Sequence, residues 1–595
     1  MISSSSEPVR AFDKTKMKLA ILLVVIMVLS LLAPLTGIIA AHAYAADPAW
    51  EPGPRERIVF TSNELRDALL SNAVDKIYLG ADITYATAMP TLAGGAARPA
   101  VIIDGTNPRT DTKHSLTTTV SFRLGTASSR VANITFQNIK LSQPSGTNGF
   151  ISCANTTAAL GTTITFDNVS IRTYRTVLQP GANGTNNCNV NFKYCDITST
   201  NAGATGTRMI CGRYIEFDGN STIDSYSGTS QGMFSVANQV STSFGSTFTV
   251  KKGASLVIVN YASSLQAPLF YNLRGLDLKV EENAIFFVVA GNLGYTIAAT
   301  DTTNSFEVNK NAICIMNLRG NRSRLRSQNL TVNDGGILHL WASDSIATTN
   351  RMAVDAQKMN FNSPFQVVLA TAGTTNNSLI RPSAILDAKR IKSIRYFTSG
   401  ANTFSGYETT FIGALRTDYR NWWFQQNGSF DIFASNLGNQ NSISISTNYD
   451  PSGNTIPAAT PMFTAANFNT TAIHCFQFDG GSRAPAINEV FVGANAVTGT
   501  GQPGAYVTVT WPAADGIVSA TPTTTVMVQA VPGLPIGVWR AEVPEDLFLN
   551  ISDTREETQI KATQRETHLG LDRGESYAVY EPVQGTAMKL IGSNT

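Results

Sequence analysis

At 595 residues, with 43% hydrophobic, 14% charged and 9% aromatic side chains, the chain can bury a large core in more than one domain, and it is neither a membrane bundle nor a disordered polymer. A formal net charge of +2, with no basic run carrying interleaved aromatics beyond the N-terminus, argues against a nucleic-acid partner. Thr, Ser, Asn and Gly fill the polar positions, as expected of an exported β-rich protein.

The N-terminus sets the compartment. Arg10, Lys14, Lys16 and Lys18 precede an apolar run from Leu19 to Ala33, and the small-x-small site Ala43-Tyr44-Ala45 follows. A positive region, an apolar region and an A-x-A site together predict a secretory signal peptide over residues 1–45. Continued to Ala41, the run reaches the roughly 20 residues of a membrane span, so an uncleaved anchor stays open. Either way the rest of the chain is expected outside the cytoplasm, secreted or associated with the cell surface.

Next, Thr61 to Glu64 reads as a capping box ahead of Leu65, Ala68, Leu69 and Leu70 at helical spacing, which predicts a short amphipathic helix. Such a helix is a plausible cap for one end of a stacked structure. Residues 101–105 (VIIDG) place a strand directly before a turn.

A repeat then begins. Residues 134–141 (ITFQNIKL) are echoed by 164–171 (ITFDNVSI), more loosely by 190–197 (VNFKYCDI), and continued by 214–218 (YIEFD). Asn138 and Asn168 fall at the same register, where the strand must turn and where Asn tolerates left-handed backbone. A second pattern, apolar-x-Val-x-x-x-(Ala or Gly)-x-apolar, starts at residues 248, 278, 306 and 330. Alternation within each half is the period of a strand with one buried face. A unit this short cannot bury its own apolar face, so neighbouring copies must stack. The repeats are therefore read as coils of a right-handed parallel β-helix over residues 55–415, with Phe136, Phe166, Phe192 and Phe217 stacked inside.

The helix-capped start, the VIIDG segment, the ITFxN repeats and the later Val-x-x-x-Ala repeats together resemble the pectate-lyase-like adhesive domain of Gram-positive surface proteins, from about Arg55 to Phe411. That resemblance implies a non-catalytic adhesin-type module; the name records a shared β-helix and not a shared reaction.

The residues themselves also weigh against catalysis. A pectate lyase needs carboxylates clustered on adjacent coils to hold Ca²⁺, plus a basic residue to take the α-proton. With the repeats in register, the outward column one residue past the central Phe reads Gln137, Asp167, Lys193, Asp218, a salt-linked ladder sooner than a metal site. Arg381-Pro382 and Arg390 to Lys392 lack Asp-Asp or Gly-His-Gly partners nearby. None of His42, His114, His339, His474 and His568 has metal-ligand spacing, and His339 falls on the outward phase of its strand, expected to face solvent. Cys195 and Cys314 occupy core columns. Cys153, Cys188, Cys211 and Cys475 allow at most one expected bridge, and no C-x-x-C occurs. No catalytic, cofactor-binding or metal-binding residue is therefore assigned, and no cofactor is expected.

Residues 416–483 read as a C-terminal cap and linker, with loops from Asn439 to Ala466. Trp422 and Trp423 are expected to cover the end of the stack, or alternatively to form a sugar-stacking platform. From 484 to 583, short alternating strands broken by Gly and Pro predict a β-sandwich. Its wording, VTGTGQPGAYVTV at 497–509 and GVWRAEVP at 537–544, resembles a bacterial Ig-like domain of surface adhesins. That resemblance implies a spacer role and a core position for Trp539. The final residues, Ser593 to Thr595, carry no L-P-x-T-G signal or apolar tail. The chain is expected to be released, held non-covalently, or tethered by its N-terminal segment.

The whole is read as an all-β, monomeric, adhesin-like protein that binds an extracellular polysaccharide or a host or matrix protein along its β-helix. A polysaccharide lyase or hydrolase and a structural surface component are the alternatives.

Overall fold

Thr61 opens the one α-helix among the described residues, α1 (Ser62–Leu70), through the expected capping box. The Glu64 amide donates to Thr61 Oγ1 at 3.3 Å, and the Thr61 amide donates to Glu64 Oε2 at 3.1 Å. Two orphan donors of the first turn are thereby satisfied. The helix buries Leu65, Ala68 and Leu69 against the first coil. At its other end Arg98, fully buried, donates to the carbonyls of Leu69 (2.7 Å) and Ala68 (3.3 Å). A guanidinium there satisfies last-turn carbonyls and opposes the negative end of the helix dipole.

The computed structural model describes residues 49–86, 98–123, 132–145, 149–152, 162–174, 176–179, 188–200, 209–225, 233–236, 246–260, 276–290, 305–318, 325–342, 352–371, 378–398, 420–424, 429–437, 443–449, 454–456, 473–480, 485–488, 490, 494–512, 522–530, 536–544, 560–568 and 571–579. The segment read as a signal peptide lies outside them, as do Cys153 and His42. No helix of the described residues is long and apolar enough to cross a membrane.

On both sides of α1 the chain contributes strands to two long sheets, of 17 and 14 strands, whose coil-to-coil pairings are parallel. This is the expected parallel β-helix. In the first sheet, strands Asn133–Gln137, Thr163–Asp167, Asn189–Lys193 and Tyr214–Asp218 pair in register, so that Phe136, Phe166, Phe192 and Phe217 face one another. Their rings stack at 5.5, 5.2 and 4.9 Å with interplanar angles of 13°, 8° and 14°. All four are buried. The later repeats align equally well. Phe248, Leu278, Phe306 and Leu330 form one column, and Leu256, Phe286, Cys314 and Leu338 form another.

The turns between the two sheets explain the invariant letters of the repeats. Asn138 and Asn168 adopt positive φ (52° and 54°), which Asn tolerates better than most residues. Their amides form a ladder: Asn168 Nδ2 donates to Asn138 Oδ1 at 2.8 Å, and Asn138 Nδ2 to Asp104 Oδ1 at 3.4 Å. In the later coils the turn is longer. The amides of Ala254, Ala284, Ala312 and Gly336 each bond back to a carbonyl three residues earlier, and the three alanines are buried. A second ladder runs from Asn362 to Asn333 (3.0 Å) and from Asn333 to Asn309 (2.8 Å). At Gly105 the contact is with backbone: an added Cβ would stand 2.4 Å from the Asn138 carbonyl oxygen, so the turn after Asp104 requires glycine.

Outward phase does not mean exposure in the second half of the helix. The strands Ser255–Asn260, Ile285–Ala290, Ile313–Leu318, Ile337–Ala342 and Gln366–Thr371 pair in register. Their outward residues Val257, Phe287, Ile315, Ile337, Trp341 and Val368 are all buried. A parallel sheet buried on both faces reads as a near-continuous apolar run, and these strands do. His339 belongs to this face. The expectation that it meets solvent is corrected: it is 4% exposed, and its Nε2 lies 2.7 Å from Gln366 Oε1.

The stack closes with antiparallel strands. Ile473–Asp479 inserts between Gln366–Thr371 and Ser393–Thr398, and Ser429–Ala434 pairs with Ile385–Ile391. Ile443–Tyr449 and Thr455–Ile456 are strands within the stretch expected to be loops. Arg420–Phe424 pairs antiparallel with Ser393–Thr398; the side chains of Trp422 and Trp423 lie outside the description. Further on, two four-stranded antiparallel sheets enclose Val497, Val507, Val509, Trp511, Trp539 and Ala541. Trp539 is buried as expected, its Nε1 donating to the Thr500 carbonyl at 3.1 Å.

Cys188, Cys195, Cys211, Cys314 and Cys475 are buried, and no disulfide joins any two of them. The Cys195 thiol is pushed up to about 12 by burial, and burial likewise raises Cys314. Both behave as apolar core groups.

Candidate functional site: the polar lateral face

The outer surface of the first sheet is set by the same register that builds the core. Because side chains alternate across a strand, the residues flanking each buried Phe point outward. Cα partners Asp104, Gln137, Asp167, Lys193 and Asp218 form one such column. Thr135, Thr165, Asn191 and Glu216 form the next. The expected column is therefore assembled in the expected order.

Its first rung is structural. Asp104 is 4% exposed and accepts from the Thr106 amide at 2.9 Å and from Gln137 Nε2 at 2.6 Å. Lys76 Nζ stands 3.8 Å from it and also over the Tyr78 ring, 4.5 Å from the centroid. A buried carboxylate with that set of donors holds a turn in place; it is not an open ligand.

The next rungs differ from a salt-linked ladder. Asp167, Lys193 and Asp218 make no direct ion pair with one another. Lys193 turns its ammonium toward the Tyr194 ring, 5.9 Å from the centroid. Desolvation raises the Asp167 pKa, Lys193 lowers it through space, and Asp218 raises it further. Farther along, Lys251 bridges coils, 3.9 Å from Glu216 and 3.5 Å from Glu281. Exposed pairs of this kind contribute little to stability.

The other sequence candidates stay apart. Arg381 bonds Asp355 at 3.2 Å and Ser383 at 2.9 Å. Arg390 turns with φ of 54°, its amide donating to Asp431 at 2.9 Å. His114 lies 3.7 Å from Asp82. The side chains of His474 and His568 lie outside the described residues. No group of three or more His, Cys, Asp or Glu side chains among the described residues converges as a metal site.

His339 is a titratable group strongly shifted by its surroundings. Desolvation holds its pKa down to about 4, against the opposing effects of its hydrogen bond to Gln366 and the charge of Asp479. A histidine kept neutral in the fold takes up a proton more readily when unfolded, so stability is full above about pH 6.5 and falls as pH drops from there toward 4. The expected loss from this one group is about 3 kcal/mol. Urea midpoints at pH 7 and pH 4.5 for the parent and for His339→Gln check this. An equal fall in both chains rejects the assignment to His339.

What sequence reasoning passed over is Tyr194. It occupies the register of Asn138 and Asn168 and is 39% exposed. The signal was an aromatic letter where the repeat writes Asn.

Residues 56–179 match the profile of the family described as "Putative pectate lyase-like adhesive domain". No curated protein matches the chain.

Proposed function

We propose that this is an adhesin-like protein of the cell exterior that binds an extracellular glycan along the outer face of its first β-helical sheet, without chemistry on the ligand; the match of residues 56–179 to the profile of the pectate lyase-like adhesive domain supports this reading. What carries the reading is the register of that face: polar side chains recur once per coil, in straight columns, over successive strands. A polymer laid along such columns makes many weak contacts, which add by multivalency. A host or matrix protein is the other ligand class this face would serve. The C-terminal pair of sheets, read as an Ig-like spacer, would hold the module away from the surface.

The test is an array of neutral and acidic glycans and of matrix proteins, probed with the full chain and with residues 484–595 alone. Saturable binding by the full chain and none by the C-terminal piece is the expected result. Binding confined to the C-terminal piece would make the β-helix the stalk and reject the reading. Incubation with polygalacturonate and Ca²⁺ should leave no unsaturated product; turnover lost on substituting Asp167, Lys193 or Asp218 would point to a lyase instead.

A further inference from the structure

The turn column of the first sheet contains one residue that the fold does not ask for. Asn138, Asn168, Tyr194 and Gly219 occupy equivalent turns and all have positive φ, at 52°, 54°, 53° and 75°. Asn and Gly suit that backbone; a bulky aromatic is an outlier there. Among the described residues, Tyr194 is the one aromatic with positive φ, the others being Asn, Asp, Ser, Arg or Gly. It also ends the amide ladder. Asn168 donates its Nδ2 back to Asn138, and the next residue of the column, Tyr194, has no side-chain amide to continue the ladder. The fold thus gives up a ladder bond and accepts a disfavoured backbone at one position. Such outliers gather where a ligand is held.

What stands there has the elements of a sugar subsite. The Tyr194 ring lies against Gly219: an added Cβ on that residue would sit 2.6 Å from Cε1 and 2.8 Å from Cζ of the ring. Glycine therefore leaves room for the ring to pack close to the chain at this turn, while the side chain stays 39% exposed. Lys193 reaches toward the ring at 5.9 Å. Asp167 and Asp218 are the Cα partners of Lys193 on the coils either side, so two acidic residues flank it in the column. An exposed aromatic ring can take the apolar face of a pyranose, and carboxylate and amide oxygens nearby can accept from hydroxyls. One ammonium between two carboxylates leaves the patch net acidic, which disfavours a polyuronate and favours a neutral sugar.

We infer that Tyr194, bordered by Asp167, Asn168, Lys193 and Asp218, is a binding subsite for a neutral hexose unit of a glycan chain. The inference rests on the proposed lateral-face reading and gives it a location and a ligand class.

The test uses the full chain in affinity electrophoresis through gels containing mannan, galactan, β-glucan or polygalacturonate, with thermal melting in parallel. Tyr194→Asn restores the ladder residue and the backbone preference while removing the ring. It should melt at or above the parent temperature and bind the retained neutral glycan about tenfold more weakly. Tyr194→Phe keeps the ring and should bind within about twofold of the parent. Parent-like binding by Tyr194→Asn would overturn the subsite and leave the lateral-face reading standing. A lower melting temperature in Tyr194→Asn would assign the tyrosine a structural role and equally overturn the subsite. A parent chain retained by polygalacturonate alone contradicts the ligand class. Retention by none of the four gels rejects the subsite, and the lateral-face reading falls with it only if the glycan and matrix-protein array is also blank.

Discussion

Truncating Phe166 to Ala is expected to lower the stability of the β-helix by about 3 to 5 kcal/mol. The ring is fully buried and stacked between Phe136 at 5.5 Å and Phe192 at 5.2 Å. Both neighbours belong to strands fixed by parallel pairing on either side of the truncated one. The walls of the cavity are therefore held at strand spacing and can collapse only a little, which places the cost in the upper range for large-to-small changes. Because coils contact mainly their neighbours, the loss should appear first as local opening. Hydrogen exchange should quicken in Asn133–Gln137, Thr163–Asp167 and Asn189–Lys193 before the strands of residues 276–342 respond. A denaturation change below about 1 kcal/mol would remove Phe166 from the core column.

The core of the first sheet was legible because period-2 alternation, repeated at nearly fixed intervals, specifies both the buried face and the coil-to-coil register. Asn138 and Asn168 were legible for the same reason, since a residue at a constant offset from a buried Phe must sit at a constant place in the coil. The reading faltered where alternation alone was used to infer exposure. His339 does point outward, yet the face it belongs to is covered. The runs SLVIVN, IFFVVA and ICIMNL already carried that information, because most residues of the outward phase there are apolar, as those inside are. The cap could not be read. Ile473–Asp479 joins Gln366–Thr371 across about a hundred residues without repeating anything, and antiparallel pairing of one unrepeated strand has no periodic signature. Arg98 shows the same limit at the other end: its partners are backbone carbonyls of α1, which no side-chain motif records. At the candidate site, register was legible and rotamers were not. The order Asp167, Lys193, Asp218 was correct, but Lys193 turns to a ring and forms no ion pair with either acid.

Replacing Asp479 by Ala is expected to cost about 4 kcal/mol, since three buried donors lose their acceptor together and each costs about 1 to 3 kcal/mol when unsatisfied. Asp479 is fully buried. Its Oδ1 accepts from Gln366 Nε2 at 2.9 Å and from Gln477 Nε2 at 2.8 Å, and its Oδ2 accepts from Ser393 Oγ at 2.8 Å. Gln366 in turn contacts His339 at 2.7 Å. One carboxylate thereby joins a parallel coil strand, the closing strand Ile473–Asp479 and the strand Ser393–Thr398. Water entering the site would satisfy some of the freed donors, so the cost is set below the sum of the three. Asp479→Asn tests the cause. It preserves volume but supplies one acceptor oxygen and an NH₂ that must face a donor, so it should recover less than half of the loss. The damage should begin at the closing end, with faster hydrogen exchange in Gln366–Thr371 and Ile473–Asp479 while Asn133–Gln137 and Thr163–Asp167 stay protected. If exchange instead quickens evenly along the whole helix, or if Asp479→Ala unfolds at the parent midpoint, this network is not what fastens the cap to the coils.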